Sequence, residues 1–463
     1  MKKILLILLV CLGFTSTYGQ DITGQWNGLL KEMNLRLVIH ITQTDDGYSS
    51  TLDSPDQGAK GIPVNMTTFE NDSLKLEVVN LGVTYAGQFV DGTFSGIFNQ
   101  GPFSIPLILG REETEKPQLN RPQEPKEPFP YSSEEVTFEN KEANLTLAGT
   151  LTLPKDEGKF PAVILISGSG PQDRNEELAG HKPFMVIADH LTKNGIGVLR
   201  FDDRGVGKST GDHSTATSAD FATDALSAVT YLKTRKEIDA TKIGLAGHSE
   251  GGIIAPIAAA KSDDVDFIVL LAGTGIRGDK LMLLQQNLIG KAMGMSEEQL
   301  QTISKYYTSI FEVLLNPNLE DYKSTLKGVI TETLNNTPDD QLPMGVSKDE
   351  TNIDAQVTQL ASPWMVYFTQ HDPTTVLTNV KCPVLAVNGE KDLQVPPEEN
   401  LIPIKNALEK GGNTDVTTIE FPNLNHLFQE CTTGAPREYA IIEQTFAPVA
   451  LEAISSWILE QVK

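Results

Sequence analysis

Alternating apolar and polar residues dominate the first part of the chain. Leucine or isoleucine occupies every second position from 35 to 41, and residues 74–78 show the same alternation. A period of two is typical of strands with one buried face, and the Asp-Gly pairs between these stretches favour tight turns. Residues 20–111 are therefore predicted to form a small antiparallel all-β domain, either a sandwich or an open barrel.

The next stretch, residues 112–130, has almost no apolar content and carries five prolines among charged residues. Each proline fixes its own φ and disfavours helix in the residue before it. We expect an extended linker that separates two domains.

Beyond the linker the apolar residues form continuous runs. After an expected hairpin over residues 136–153, these runs predict strands at 162–166, 196–201, 243–246, 267–271, 383–387 and 416–421. Helical patterns lie between or after them, at 181–193, 218–232, 252–260, 397–410 and 440–462. Unbroken apolar strands that alternate with amphipathic helices indicate a mostly parallel sheet covered on both faces. Residues 131–463 are thus predicted to be an α/β domain.

The alternation of strands and helices is interrupted between about residues 276 and 380. Ser296 and Gln299 have the spacing of a capping box, and apolar residues then recur at helical spacing from Leu300 to Leu314. We expect an all-helical insertion that acts as a lid over the site. Trp364, on this insertion, has an aromatic side chain that either faces the pocket or packs within the lid.

Composition sets limits on compartment and partners. Residues 1–19 combine two lysines, an apolar run and small residues before Gln20, which is typical of a cleaved export signal. Cleavage changes the net charge from −24 to −26, because it removes two lysines and no acid. Such an acidic chain disfavours nucleic acid and anionic membranes as partners. No later stretch is long and apolar enough to span a membrane, and we expect Cys382 and Cys431 to be free thiols.

The strongest chemical signal is the sequence GHSEG at residues 247–251. A short apolar strand precedes it and an apolar helix follows, so a sharp strand-to-helix turn is predicted at Ser249. A nucleophile at such a turn takes a strained backbone conformation, and glycines on both sides leave room for it. Ser249 is therefore the candidate nucleophile.

A serine hydroxyl needs a base to accept its proton and an acid to orient that base. His426 follows the last predicted strand, where a loop can return to Ser249, and it is preferred over His213 in an earlier loop. The loop after residues 383–387 offers Glu390 and Asp392, of which Asp392 is the chosen acid. Ser, Asp and His in this chain order are associated with α/β-hydrolases.

Backbone amides are needed to stabilise a negatively charged oxygen in the transition state. Glu250, directly after the nucleophile, supplies one amide. The glycine-rich loop that begins at Ser167 supplies the other, from Ser169 or alternatively from Gly170.

No cofactor or metal site is predicted. Residues 207–210 read GKST, but Asp202 stands where a phosphate-binding loop needs its first glycine. Asp203 and Arg204 are instead expected to pair with each other.

Four stretches together resemble the α/β-hydrolase superfamily: SGSGPQDR from residue 167, FDDRGVGKS from residue 201, the Ser249 turn and residues 388–396. Within it, residues 134–463 are similar to bacterial carboxylesterases and serine aminopeptidase-like hydrolases with a helical lid. Many of these relatives have histidine where this chain has Ser167. The resemblance implies the fold and a Ser249, Asp392 and His426 triad.

The expected function is hydrolysis of small carboxylic esters by an exported serine hydrolase. A peptidase of the prolyl-oligopeptidase or aminopeptidase type has the same catalytic parts and stays open as an alternative. A binding protein for carbohydrate or protein, built on an inactive hydrolase scaffold, is the second alternative. The oligomeric state does not follow from the sequence.

Overall fold

The structure is a computed structural model that describes most of the chain. It describes residues 21–463 except 58, 101–102, 116–119, 156, 317–320, 339–340 and 343–345. The predicted export signal, residues 1–19, lies outside the described residues. Within the described part, no helix has the length and apolar content that crossing a membrane requires.

The first part of the described chain is a single antiparallel sheet. Its strands are β1 Gly24–Leu30, β2 Leu35–Thr44, β3 Gly47–Ser54, β4 Ala59–Val64, β5 Met66–Glu70, β6 Ser73–Val78, β7 Val83–Val90, β8 Thr93–Gln100 and β9 Phe103–Gly110. They lie in the order β4-β3-β2-β1-β9-β8-β7-β6-β5. Ser50 on β3 and Thr67 on β5 are nonetheless joined by a 2.6 Å hydroxyl hydrogen bond. The sheet therefore curls until its two sides meet, which favours the open barrel over the sandwich.

Aromatic side chains fill the inside of this barrel. Trp26 and Phe94 are fully buried, with ring centroids 4.6 Å apart and the edge-to-face geometry that aromatic pairs prefer. The buried Tyr85 hydroxyl is within hydrogen-bond reach of the carbonyl oxygens of Phe94 and Leu107. The inward-facing residues of the predicted alternation thus form a packed core.

The linker follows the surface of the second domain, and Arg121 anchors it there. The Arg121 guanidinium donates to the Gly180 carbonyl at 3.0 Å, the Ala440 carbonyl at 2.9 Å and the Ile442 carbonyl at 2.6 Å. The Gln123 side chain adds bonds to the backbone of Phe446. The linker therefore joins the loop before the first helix of the second domain to the loop before its last helix.

The second domain is built on a mostly parallel sheet. Its strands are β10 Ser132–Asn140, β11 Leu145–Leu153, β12 Phe160–Ile166, β13 Gly197–Phe201, β14 Ile238–His248, β15 Phe267–Leu271, β16 Val384–Gly389 and β17 Val416–Phe421. The order is β10-β11-β13-β12-β14-β15-β16-β17, with β10 and β11 antiparallel and the rest parallel. The carboxyl ends of β12, β14, β16 and β17 consequently meet at one edge, where ligands bind in open α/β sheets.

Helices cover both faces of this sheet. They are α1 Pro183–Lys193, α2 Ser218–Leu232, α3 Gly251–Ala259, α10 Pro397–Lys410 and α11 Pro448–Gln461. Helices α2, α3 and α10 pack in one apolar core, and α1 and α11 pack in the other. Strands buried on both faces need apolar residues at every position, which explains the continuous runs in the sequence.

The last helix is shorter than its apolar pattern suggested. The prediction that it begins at residue 440 is wrong, since α11 begins at Pro448. Proline suits the first helical position because its fixed φ matches the helix and its missing N–H would be unpaired there. Residues before it are held in a loop whose carbonyls accept hydrogen bonds from Arg121.

A run of helices separates β15 from β16. These are α4 Gly278–Ala292, α5 Glu297–Leu314, α6 Tyr322–Asn335, α7 Glu350–Leu360, α8 Pro363–Gln370 and α9 Pro373–Leu377, and the described residues of this insertion contain no strand. The capping box predicted for Ser296 and Gln299 is present. Buried residues of α5, α6, α7 and α8 form a core of their own. The predicted helical insertion is therefore present, and part of it packs around a core of its own.

The two cysteines of the described chain are free, as predicted. Cys382 lies two residues before β16 and Cys431 lies beyond β17, and neither forms a disulfide.

Candidate active site

The predicted strand-to-helix turn is present at Ser249. Strand β14 ends at His248, α3 begins at Gly251, and Ser249 has a left-handed backbone with φ of 52°. A left-handed conformation strains a residue other than glycine and is found most often at functional sites. A Cβ on Gly247 would collide with the carbonyl oxygen of Gly251. Glycine is thus required at position 247 by the close approach of strand and helix.

Asp392 and His426 are joined by a hydrogen bond. Asp392 Oδ2 lies 2.8 Å from His426 Nδ1, and the residues are only 1% and 4% exposed. The other oxygen, Asp392 Oδ1, accepts from the amides of Gln394 and Val395, each at 2.8 Å. These amides fix the orientation of the carboxylate. Oδ2 can then bond to Nδ1 of His426, which leaves Nε2 of the same ring to face another group. The residues come from the loops after β16 and β17, as the sequence predicted.

Ser249 lies beside this pair without being bonded to it. The rings of His248 and His426 are 4.8 Å apart, which places the imidazole of His426 next to the turn. Within the described chain, Ser249 Oγ and His426 Nε2 make no hydrogen bond to a protein group. Catalytic hydrogen bonds are often long in the absence of substrate and shorten when it binds. The structure therefore brings acid and base together and leaves the serine contact to be formed.

The glycine-rich loop after β12 passes close to the serine. A Cβ added to Gly168 would lie 3.3 Å from the Ser249 Cβ. The Gly168 amide donates to Glu176 Oε1 at 2.7 Å, so it is already used. The amides of Ser169, Gly170 and Glu250 donate to no acceptor among the described residues. All three remain candidates for holding an anionic oxygen, and the choice between Ser169 and Gly170 stays open.

Ser167 and Asp203 anchor the start of this loop. The Ser167 hydroxyl donates to Asp203 Oδ1 at 2.7 Å, and the Gln172 amide donates to Asp203 Oδ2 at 2.9 Å. The expected pairing of Asp203 with Arg204 is wrong, since Arg204 Nε donates to Asp224 at 2.7 Å. Both residues lie in the loop that turns after β13, where neighbouring side chains reach different partners.

The Asp203 carboxyl is in an environment that disfavours its charge. Burial, and to a smaller extent the nearby carboxylates of Glu250 and Glu176, raise the pKa of Asp203 to about 8. A carboxyl with a raised pKa stabilises the folded protein fully below its unfolded pKa of 3.8 and loses that contribution as the pH rises through 8.

We predict that Asp203→Asn flattens this pH dependence. An amide stays neutral and can still accept from the Gln172 amide. From pH 5 to pH 8, wild type should lose about 2 kcal/mol of unfolding free energy relative to the variant. This value is smaller than the full pKa shift would give, because Asp203 is partly exposed and solvent screens its charge. Urea denaturation at both pH values measures the difference. Parallel pH profiles for the two proteins would contradict the prediction.

Glu250 connects the Ser249 turn to the helical insertion. Its buried Oε1 accepts from Ser218 Oγ at 2.6 Å and from Trp364 Nε1 at 2.8 Å. Burial raises the pKa of Glu250. Trp364 also stacks on Phe368, with ring centroids 5.0 Å apart. No local pattern in the sequence pointed to this contact, because Glu250 and Trp364 are 114 residues apart.

Within the described chain, no three His, Cys, Asp or Glu side chains are placed to hold a metal ion together.

Comparison with known proteins assigns the family. The model of the family described as serine aminopeptidase, S33, matches residues 182–430, which is more than half of the chain. This chain belongs to that family of α/β-hydrolases. The matched region contains Ser249, Asp392 and His426, and the resemblance inferred from the sequence is confirmed at this level.

Several relatives of this S33 hydrolase are recognisable in sequence. Esterase EstD of Thermotoga maritima is 28% identical over 292 residues, which are 63% of this chain and 60% of EstD. The chain thus spans about three fifths of the length of EstD. An uncharacterized 31.7 kDa protein of Escherichia coli, from the traX-finO intergenic region, is 25% identical over 55% of this chain and 80% of its own length.

Solved structures of low sequence identity also align with this chain. The α/β hydrolase GrgF of Penicillium sp. sh18 aligns with 72% of this chain and 98% of its own, with a TM-score of 0.44 and 18% identity. The Pyrococcus furiosus esterase Pf2001 aligns with 76% of this chain and 100% of its own, with a TM-score of 0.43 and 16% identity.

Proposed function

We propose that this S33-family hydrolase cleaves small carboxylic esters through a Ser249, His426 and Asp392 triad and an acyl-enzyme intermediate. One observation carries the proposal: the buried Asp392 and His426 are hydrogen-bonded, and the His426 ring packs against His248, the residue directly before the left-handed turn at Ser249. The esterase name of the relative EstD supports the choice of substrate class.

Acylation begins when His426 Nε2 accepts the hydroxyl proton of Ser249 as Oγ attacks the ester carbon. Asp392 keeps the proton of His426 on Nδ1, so Nε2 is free to accept, and it stabilises the imidazolium that forms. This step requires Ser249 Oγ and His426 Nε2 to come within hydrogen-bond distance when substrate binds.

The carbonyl oxygen becomes negatively charged as the tetrahedral intermediate forms. The amides of Glu250 and Ser169 are the proposed donors to this oxygen, with Gly170 as the alternative to Ser169. Each such donor is worth about 3 kcal/mol of barrier, because it is already oriented before the charge develops.

Breakdown of the intermediate releases the alcohol. His426 returns its proton to the leaving oxygen, and the acyl group stays on Ser249 Oγ. Water then attacks the acyl-enzyme, with His426 again acting as base, and releases the carboxylic acid.

We further propose that the insertion of α4 to α9 is a lid that shapes the acyl pocket. Two contacts connect it to the site: Trp364 bonds to Glu250, and Gln285 on α4 bonds to Gln394 beside the acid. Residues 1–19 are proposed to direct export, and the β-barrel domain is proposed to be an accessory domain.

Peptide hydrolysis is the second candidate, because the family description names serine aminopeptidases. Amide and ester cleavage use the same nucleophile, base and oxyanion donors, and they differ in how the substrate is held.

Comparing nitrophenyl acyl esters of increasing chain length with aminoacyl nitroanilides separates the two candidates. We expect kcat/KM for a short acyl ester to exceed that for every anilide by about 10² or more, on the scale that pocket contacts discriminate substrates. Faster turnover of an anilide would reject the esterase proposal. Absence of turnover and of fluorophosphonate labelling in wild type would reject both enzymatic proposals and favour a binding protein.

A further inference from the structure

A second histidine and carboxylate pair lies directly behind the candidate site. His248 precedes the nucleophile, and its Nδ1 lies 2.9 Å from Glu176 Oε1. The two residues are 6% and 4% exposed. The mechanism assigns no task to either residue, yet burying two ionisable groups is costly unless their bonds are well satisfied.

Each member of this pair also binds a loop that carries catalytic parts. His248 Nε2 lies 3.0 Å from the carbonyl oxygen of His426, the proposed base. Glu176 Oε1 accepts the amide of Gly168 at 2.7 Å, on the loop that offers the oxyanion donor Ser169. The chain of bonds therefore runs from the oxyanion loop through Glu176 and His248 to the loop of His426.

The protonation of the pair follows from its partners. A carbonyl oxygen only accepts, so His248 Nε2 must carry a hydrogen. Glu176 Oε1 also accepts from the Gly168 amide. As an ionised carboxylate it can accept a second hydrogen bond, from His248, when Nδ1 of that imidazole carries a hydrogen as well. Burial lowers the pKa of His248, but the charge of Glu176 and the hydrogen bonds outweigh it and raise the pKa above its ordinary value. The pair is thus held by charge-assisted hydrogen bonds, which are stronger than neutral ones.

The backbone conformation of Glu176 supports a functional role for this residue. Its φ is 51°, the left-handed region that a residue other than glycine rarely adopts. Ser249 has the same left-handed backbone, and a Cβ added to Gly168 would lie 3.3 Å from both Glu176 Oε1 and Ser249 Cβ.

We propose that Glu176 and His248 are positioning residues that set the distance between the oxyanion donors and the base. This proposal rests on the proposed serine hydrolase function. Neither residue touches the reacting atoms, and each acts through another group: Glu176 through the Gly168 amide and His248 through the His426 carbonyl. Since a displacement of about 1 Å can cost about 10² in rate, such a brace affects kcat more than substrate binding.

The test is a double-mutant cycle with Glu176→Gln, His248→Gln and the combined variant. Glutamine at 176 keeps an acceptor for Gly168 but removes the charge, and glutamine at 248 keeps a donor near the His426 carbonyl but loses the bond to Glu176. We expect each single variant to lower kcat by about 10- to 100-fold, with KM changed by less than about three-fold. The combined variant should be no slower than His248→Gln alone, because the two residues act as a unit.

Asp224→Asn is the matched control. Asp224 is another buried carboxylate, and its partners Arg204 and Asn140 lie in neither the oxyanion loop nor the loop of His426. The Asp224→Asn substitution should lower the melting temperature, while kcat stays near the wild-type value. Labelling by a fluorophosphonate should slow in the Glu176 and His248 variants by the same factor as kcat, since it uses the same serine, base and amides.

The proposal is overturned if folded Glu176→Gln and His248→Gln both keep kcat within about three-fold of wild type, or if their effects add in the combined variant. If one single variant does not unfold cooperatively, the kcat of the other single variant tests the proposal. Failure of both to fold, with Asp224→Asn folded, would assign the pair to stability and also overturn the proposal. A wild-type protein that neither turns over ester nor labels would instead reject the proposed function.

Discussion

Replacing Ser249 with alanine is expected to lower ester hydrolysis by about 10⁵- to 10⁶-fold, because the acyl-enzyme route disappears with the hydroxyl. The residual rate comes from the oxyanion donors and substrate binding alone. Alanine fits the space of the serine side chain, and the Ser249 amide keeps its 2.8 Å bond to the Leu271 carbonyl. The fold should therefore survive the change.

Steady-state hydrolysis of a nitrophenyl ester and labelling by a fluorophosphonate measure this effect together. Ser227→Ala is the control, since this serine lies on α2 and its hydroxyl bonds, among the described residues, to the Thr223 carbonyl one turn earlier. The control should label and turn over like wild type. Labelling of Ser249→Ala at the wild-type rate would show that another residue is the nucleophile.

Replacing Asp392 with asparagine is expected to lower kcat by about 10⁴-fold without unfolding the protein. The reason lies in the bonds of the two carboxylate oxygens. Oδ1 accepts from two amides, so the asparagine oxygen must occupy that position and its NH₂ group must face His426 Nδ1. His426 would then accept at Nδ1 and carry its proton on Nε2, where it cannot take the proton of Ser249.

Glu390→Gln is the matched control for the acid. Glu390 was the other candidate in the same loop, and its carboxylate accepts from the Asn423 amide at 2.8 Å instead of facing the imidazole. We expect the control to keep kcat within about two-fold of wild type, as surface substitutions away from a site usually do. Comparable losses in the two variants would mean that the identity of the acid is wrong.

The sequence alone determined the parts of this protein that depend on local pattern and chain order. Strands buried on both faces need continuous apolar runs, and one face of a helix needs apolar residues at a period of 3.6, so the α/β domain was readable from residues in series. The turn at Ser249 was equally readable, because its glycines are required by contacts between neighbours in the chain. Asp392 and His426 followed from the rule that parallel strands bring their carboxyl ends to one edge.

Only the tertiary structure decided which side chains pair across that edge. No pattern in the sequence could show that His248 meets Glu176, 72 residues earlier, and the His426 carbonyl, 178 residues later. The sequence likewise did not predict the partners of Asp203 or the hydrogen bond from Trp364 to Glu250. Each depends on the position and rotation of separate elements after packing. A hydrogen bond forms only when its two atoms are about 3 Å apart. Sequence periodicity describes one helix or strand at a time, so it does not give the distance between side chains on different elements.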